Sequence, residues 1–594
     1  MYLSLVQAGY GERFHFFVLS DTRVANAAVE EEAAWFDLCK QVRGFGRIFY
    51  RRRRTPLHRK SGNVSDFCRR WGRAYPYMIV LDADSVMDGR TLVRLVALME
   101  AHPRVGIIQT VPQLALAETP FARMMQFSAA LYGPLFAAGL NFWQQDEGNY
   151  WGHNAIMRVG PFMEHCALPE LPLPAGRDTR FMSHDYVEAA LMRQAGYHVW
   201  LAVGLEGSYE GGPPTVLDHA RRDRRWCRGN LQHTWLLLAP GIHPVNRLHL
   251  LLGVLSYLTS PLWLLMLGFG LAQSFIDVTN YGHRSFDYDI GLTSFLDIGG
   301  VRLALCLFAT TIFMLLAPKV LAIFLALRRR VTRVTFGGTL PILAGSLLEQ
   351  LCATLMAPVL MLFNTNAIVS ILMGRTVDWA AQARDSAGGT SWSCAARTHL
   401  GHTCIGASLA WMAFSIQPTV GWWFSPIWIG LMLSIPMSVL LDRPVFGTAL
   451  ARWRIFAAPV ETATPPVLKH LRRNLELSHK RMPAPDASDP DAVLAKLVLD
   501  PYLNAVHSAL HLRTAAESPT RREYFQRLEQ LLLREGPARL APREKQALLM
   551  NAEAIARLHI AVWRTSPAEL ASWWADSLQR YNLLTNRPPP PLVR

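Results

Sequence analysis

Short apolar runs punctuate the first 245 residues, and beyond residue 250 they give way to runs several times longer. FHFFVL (Phe14–Leu19), YMIVL (Tyr77–Leu81), VGIIQT (Val105–Thr110) and HVWLAV (His198–Val203) are brief and rich in β-branched or aromatic residues. Runs of that length and composition predict buried strands. Between them, TLVRLVALMEA (Thr91–Ala101) repeats its apolar positions at helical spacing. Strands alternating with helices predict an α/β domain over residues 1–245, with a largely parallel sheet and ligands at the carboxyl ends of its strands.

The longer runs predict a second region, 246–441, that meets a bilayer. Leu250–Ile276 carries no charge, and Leu303–Leu327 carries only Lys319 before Arg328–Arg330. Each can cross about 30 Å of hydrocarbon as a helix. Thr339–Gly374 contains Glu349, Pro341 and Pro358, and reads as a hairpin, a re-entrant segment or helices in the interface (339–374). Thr403–Leu441 is uncharged but broken near Gln417–Gly421, which predicts two spans. The positive-inside rule places Arg328–Arg330 and the basic tail in the cytoplasm, and the aspartate-bearing loop 277–301 outside. With four spans and residues 339–374 returning to the side they left, the first 245 residues are cytoplasmic too. Residues 442–594 predict a polar helical tail with a linker at Pro483–Asp491 and a proline-rich end at Arg587–Pro591.

Composition narrows the classes. The chain has 594 residues, a net charge of +15 and a hydrophobic fraction of 51%. That combination suits a membrane protein with basic cytoplasmic segments. Nucleic acid is the other partner such charge suggests, through Arg51–Thr55 and RRDRRWCRGNLQH (Arg221–His233). No helix-turn-helix, zinc-finger or RNP pattern accompanies them, so nucleic acid is set aside. The eight cysteines are scattered without a C-x-x-C pair, which predicts reduced thiols and neither a cysteine zinc site nor a disulfide framework. MYLSLVQAGYGERF has neither the basic start nor the apolar core of a signal peptide.

Three places could carry chemistry. VLDADS (Val80–Ser85) sets Asp82 and Asp84 directly after an apolar strand. Two such carboxylates suit a divalent cation neutralising a diphosphate, or else a simple capped turn. SHDYVEAALMRQAG (Ser183–Gly196) opens a helix, so Asp185 reads either as part of a cap or as a general base. In Arg222-x-x-Arg225-Trp226, forked arginine donors suit phosphate and the tryptophan face suits a sugar ring. The same cluster could instead rest on lipid phosphates.

Together these motifs resemble the processive family 2 glycosyltransferases, the cellulose and hyaluronan synthases among them, with their D-x-D, (T/E)-D and Q-x-x-R-W signatures. KSGN (Lys60–Asn63) is similar to their K-x-G-N element, VLSDT (Val18–Thr22) to a nucleotide-contacting strand, and GIIQT (Gly106–Thr110) to their acceptor-side Q-T. FFVLSDT, GRIFYRRRR, KSGNVSDFCRRWG, VLDADSVM, YWGHNAIMR, SHDYVEAALMRQAG, GSYE and RRDRRWCRGN bring the likeness closest to bacterial inner-membrane synthases of osmoregulated periplasmic glucans, over most of residues 14–445.

The resemblance implies a GT-A, Rossmann-like cytoplasmic domain on an α-helical transmembrane bundle. It implies inverting transfer from UDP-glucose to a growing β-1,2-linked glucan, with Asp185 as base. It places Asp21 and Lys60 near uridine, Asp82 on the nucleotide, Asp84 on Mg2+ or Mn2+, and Arg222, Arg225 and Trp226 at the diphosphate and acceptor. Acyl carrier protein and membrane lipids are the further partners it implies. The glutamine of Q-x-x-R-W is Arg222 here. No strand with P-x-x-N-E and no amino-terminal spans precede Phe14, so the chain is expected to be truncated and to bind UDP-sugar poorly as written. The alternatives are a cellulose- or hyaluronan-type synthase of another polysaccharide, and a non-catalytic transporter or scaffold with a transferase-like domain.

Overall fold

The computed structural model describes residues 1–53, 55–171, 179–281, 300–375, 389–481, 491–511 and 518–585. Most of the 277–301 loop, nearly all of the 483–491 linker and the 587–591 end therefore lie outside the described residues. The chain forms two compact units, Met1–Phe67 with Lys469–Arg594, and Cys68–Leu468.

In the first unit, strands β1 (Phe16–Ser20) and β2 (Ile48–Arg52) pair in parallel, with Phe16 opposite Ile48. Parallel pairing requires a crossover, supplied here by the helix Ala25–Val42. Ala25, Val29 and Ala33 of that helix are buried with Leu497, Leu503, Leu532, Ile555, Leu558 and Trp574. The helices of the tail thus share one core with the helix Ala25–Val42. The arginine run is held by acids: Arg51 pairs with Asp66, and Arg53 grips Asp21 through two hydrogen bonds of 2.8 and 2.6 Å.

The second unit holds the remaining strands. Those are β3 (Tyr77–Val80), β4 (Val86–Met87), β5 (Val105–Thr110), β6 (Gln113–Ala115), β7 (Ala155–Arg158), β8 (His198–Ala202) and β9 (Ser208–Gly211). The main sheet runs β3-β7-β5-β8, and a smaller one runs β4-β9-β6. The expectation of a largely parallel sheet is corrected here. Only β5 and β8 pair in parallel in the main sheet, because β7 inserts antiparallel between β3 and β5. An antiparallel strand starts where its neighbours end. The segment leading into β7 is therefore delivered to the carboxyl ends of β3 and β5.

Among the described residues, three helices are long and apolar enough to cross a membrane: Pro244–Ile276, Leu305–Arg328 and Thr339–Leu372. Thr339–Leu372 is one 34-residue helix rather than a hairpin. Pro341 falls in its first turn, where proline's missing N–H costs nothing, and only Pro358 lies in its interior. Lys319 and Glu349, the charges inside these runs, pair at 3.1 Å, and the Tyr132 hydroxyl donates to Glu349 at 3.2 Å. The 403–441 run folds as the end of one helix, Trp392–Ile416, and three short ones, Pro418–Trp423, Ser425–Met432 and Ser434–Leu441.

Candidate active site

At the carboxyl end of β3, Asp82 and Ser85 close a turn. Ser85 N–H donates to the Asp82 carbonyl at 3.0 Å, and Ser85 Oγ accepts from Asp82 N–H at 3.1 Å. Ser85 is buried, and the half-buried Asp82 and Asp84 stand on this rigid base. Across from the turn, a Cβ built on Gly211 would come within 3.4 Å of Asp84 Cβ, so β9 passes close to this carboxylate.

The segment Asn149–Asn154, delivered by β7, forms the next wall. Fully buried Gln109, at the end of β5, clamps it from both sides: Oε1 accepts from Trp151 N–H at 2.9 Å, and Nε2 donates to the His153 carbonyl at 3.0 Å. Thr110 Oγ1 donates to the Asn154 carbonyl at 2.7 Å, and Asn154 Nδ2 donates to Ser208 Oγ at 2.9 Å. The Q-T pair thus positions backbone. Gly152 has φ +87, which favours glycine, and a Cβ there would lie 3.3 Å from Asp185 Oδ2. His153 Nε2 pairs with Glu210, and Nδ1 lies 3.1 Å from the Trp151 carbonyl.

Asp185 sits in the first turn of the helix His184–Gln194. Ser183, the residue before it, makes no side-chain cap; its hydroxyl donates to Asp185 Oδ1 at 2.8 Å instead. The capping account of this motif therefore fails for Ser183, whose oxygen orients the carboxylate rather than the helix end. Tyr150, fully buried, has its phenol raised well above the usual range, by burial first and then by the charges of Glu188, Asp185 and Asp82. One side chain thus lies in the field of two of the sequence-predicted carboxylates, Asp82 and Asp185.

The arginine–tryptophan motif lies on the helix Val216–Gln232. Burial lowers the pKa of Arg222, while the charges of Glu210, Asp223 and Asp84 raise it, so this guanidinium stands near Asp84. It also lies 4.5 Å from the centre of the Trp226 ring, which stays half exposed. Arg225 is half-buried on the same helix.

The far end of that helix grips the loop carrying Asp185. Gln232 Oε1 accepts from Met182 N–H at 2.8 Å, its Nε2 donates to the Arg180 carbonyl at 3.0 Å, and His233 Nε2 donates to the Ser183 carbonyl at 2.9 Å. Burial lowers the pKa of His233 and keeps it a neutral single donor there. The helix start is held by Asp442, whose Oδ1 accepts from Val216 N–H at 2.9 Å.

The second unit therefore holds Asp82, Asp84, Asp185, Arg222, Arg225 and Trp226, and the contacts above link Arg222 to Asp84 and Trp226, and Tyr150 to Asp82 and Asp185. Asp21, paired with Arg53, and Lys60, on the helix Arg59–Trp71, belong to the first unit. Sequence reasoning assigned no role to His153, Glu210, Tyr150 or His233. The motifs YWGHN and GSYE contained the first three, but only the fold pairs them.

Residues 77–327 match the family described as Glycosyl transferase family group 2. The chain is 42% identical over 97% of its length to the glucans biosynthesis glucosyltransferase H of Pseudomonas savastanoi pv. phaseolicola, covering 66% of that protein. It is 43% identical over 96% of its length to the protein of the same name from Pseudomonas entomophila, and 42% identical over 96% to that of Ralstonia nicotianae, covering 65% of each. The chain thus spans just under two thirds of the length of these relatives.

Proposed function

We propose, on the match of residues 77–327 to glycosyl transferase family group 2, that the chain transfers glucose from UDP-glucose to a growing glucan. The product we propose is the β-1,2-linked backbone of osmoregulated periplasmic glucans, in keeping with the name its relatives carry. The observation that carries the reading is the convergence around Tyr150 and Arg222: one lies in the field of Asp82 and Asp185, the other in that of Asp84.

In this mechanism Asp185 accepts the proton of the attacking glucan hydroxyl. Ser183 Oγ holds one carboxylate oxygen, and the side-chain-free Gly152 leaves the face near the other without a Cβ. Inversion follows from a single displacement at the anomeric carbon. The electron pair of the breaking bond goes to the UDP diphosphate, where Arg222 and Arg225 offer forked donors. Asp82 serves the nucleotide, and Trp226 offers its exposed ring to an acceptor sugar. The donor set fits a hard divalent ion, since Asp84 presents carboxylate oxygen beside a glycine. Mg2+ or Mn2+ held by Asp84 would supply charge neutralisation of the diphosphate. Asp21 and Lys60 are proposed as uridine contacts.

We place the protein in the bacterial inner membrane, with residues 1–245 and the tail 442–594 on the cytoplasmic side. Three membrane-length helices among the described residues support the membrane, and the basic Arg328–Arg330 supports the cytoplasmic orientation. Those arginines also suit anionic lipid headgroups. Acyl carrier protein enters the proposal from the family resemblance alone. The test is incubation of membranes bearing the full chain with labelled UDP-glucose, followed by linkage analysis. β-1,2-linked glucan is expected; β-1,4-linked polymer would make the protein a cellulose-type synthase, and no polymer would refute the proposal.

A further inference from the structure

The first unit contains a cluster that glycosyl transfer does not use. Glu32, on the helix Ala25–Val42, is fully buried. Two histidines on the helix Pro501–His511 face it: His507 Nδ1 lies 2.6 Å from Glu32 Oε2, and His511 Nε2 lies 2.7 Å from Oε1. A spacing of four residues brings both rings to one face of their helix, with centroids 4.5 Å apart. His507 is fully buried, whereas the His511 side chain is 15% exposed, which leaves a way in from solvent. The apolar core containing Val29, Ala33 and Leu503 packs the same helices.

A buried carboxylate needs a compensating positive charge. Among the described residues, no lysine or arginine pairs with Glu32; its ion-pair partners are the two histidines. The ligand atoms of all three side chains lie within 4.8 Å of one another. Two imidazole nitrogens and a carboxylate are the donor set of a borderline divalent ion, in the pattern that leaves one position for water. Ligand atoms around an ion with bonds of 2.0–2.1 Å stand about 3.3 Å apart. The side chains need only part by under about 1 Å to admit it, and each ligating imidazole nitrogen gives up its proton, to the other ring nitrogen if the ring is neutral and to solvent if it is charged.

We propose that Glu32, His507 and His511 bind one divalent transition-metal ion of the zinc class. Bound there, the ion joins the first long helix of the chain to a helix of the tail, and its binding energy becomes stability of this unit. Cysteine spacing gave no hint of it, because the ligands are histidine and glutamate and lie 475 residues apart in sequence.

The test uses the full chain in detergent, without a histidine tag, stripped by chelator and titrated with Zn2+ and then Co2+. One ion per chain, a visible cobalt absorption band and a chelator-reversible rise in melting temperature are expected. His511→Gln should lose all three. His511→Cys should keep the ion and add a sulfur-to-cobalt charge-transfer band in the near ultraviolet, which a hydrogen-bonding role alone cannot produce. No stoichiometric binding to the wild type would overturn the proposal. Equal binding by wild type and His511→Gln would also overturn it, as would a His511→Cys protein without the new band.

Discussion

Gly229 offers a way to move the proposed base without altering any charged group. It lies on the helix Val216–Gln232, three residues beyond Trp226, and a Cβ built there would stand 2.7 Å from Ser183 Cβ and 2.8 Å from Ser183 N. Ordinary carbon contacts lie at 3.5–4.0 Å, so Gly229→Ala must push the Ser183 segment away by about 1 Å. In an open helix the same change stabilises by about 1 kcal/mol. Here overpacking costs about 1–3 kcal/mol, which leaves a net loss of up to about 2 kcal/mol. Because Ser183 orients Asp185, the effect on rate is larger: a misplacement of about 1 Å costs on the order of 100-fold. The assay is the initial rate of UDP release at saturating UDP-glucose, with a melting curve for the same protein. A variant that melts higher than the parent and releases UDP at the parental rate would refute the packing of this helix end on the Asp185 loop.

Three further substitutions test how that helix and the apolar segments are held. Burial raises the pKa of Asp442 to about 6, against the hydrogen bonds from Thr390 and Val216 N–H. A carboxyl whose folded value exceeds its unfolded value of about 3.9 adds stability as pH falls through 6 and loses it as pH rises. Melting in detergent should therefore improve from pH 7 to pH 5 by about 1.3 kcal/mol, since only about one pH unit of that window is crossed, and Asp442→Asn, which still accepts from Val216, should remove that gain; an unchanged pH dependence would count against it. For the Lys319–Glu349 pair, Glu349→Gln leaves a half-buried cation with only neutral acceptors, Gln350 Oε1 among them, and should cost about 1–3 kcal/mol. Adding Lys319→Met should recover most of that loss in melting, and a double variant no better than the single one would contradict the pairing.

Parts of this architecture were legible in the chain because their signal is local. YMIV, VGIIQT and HVWLA are mostly apolar, and their strand bounds were readable to within a residue. AIMR and SYEG carry too little apolar pattern to announce β7 and β9, and antiparallel insertion of β7 depends on pairing order, which no local run encodes. The proline pair in Thr339–Leu372 suggested a break, yet Pro341 sits where a helix tolerates it. The carboxylates Asp82, Asp84 and Asp185 stood out by following a strand or opening a helix. What no spacing disclosed is that Gln109 would clamp the Trp151–His153 backbone, or that Gly152 would lie against Asp185.

UDP release from UDP-glucose in membranes, parent against Asp185→Asn, tests the central claim most directly. Asparagine keeps the shape and the hydrogen bond from Ser183 but cannot take a proton. The account predicts that release falls by about 100- to 10,000-fold, the usual contribution of a positioned general base. Release from Asp185→Asn at the parental rate would contradict it.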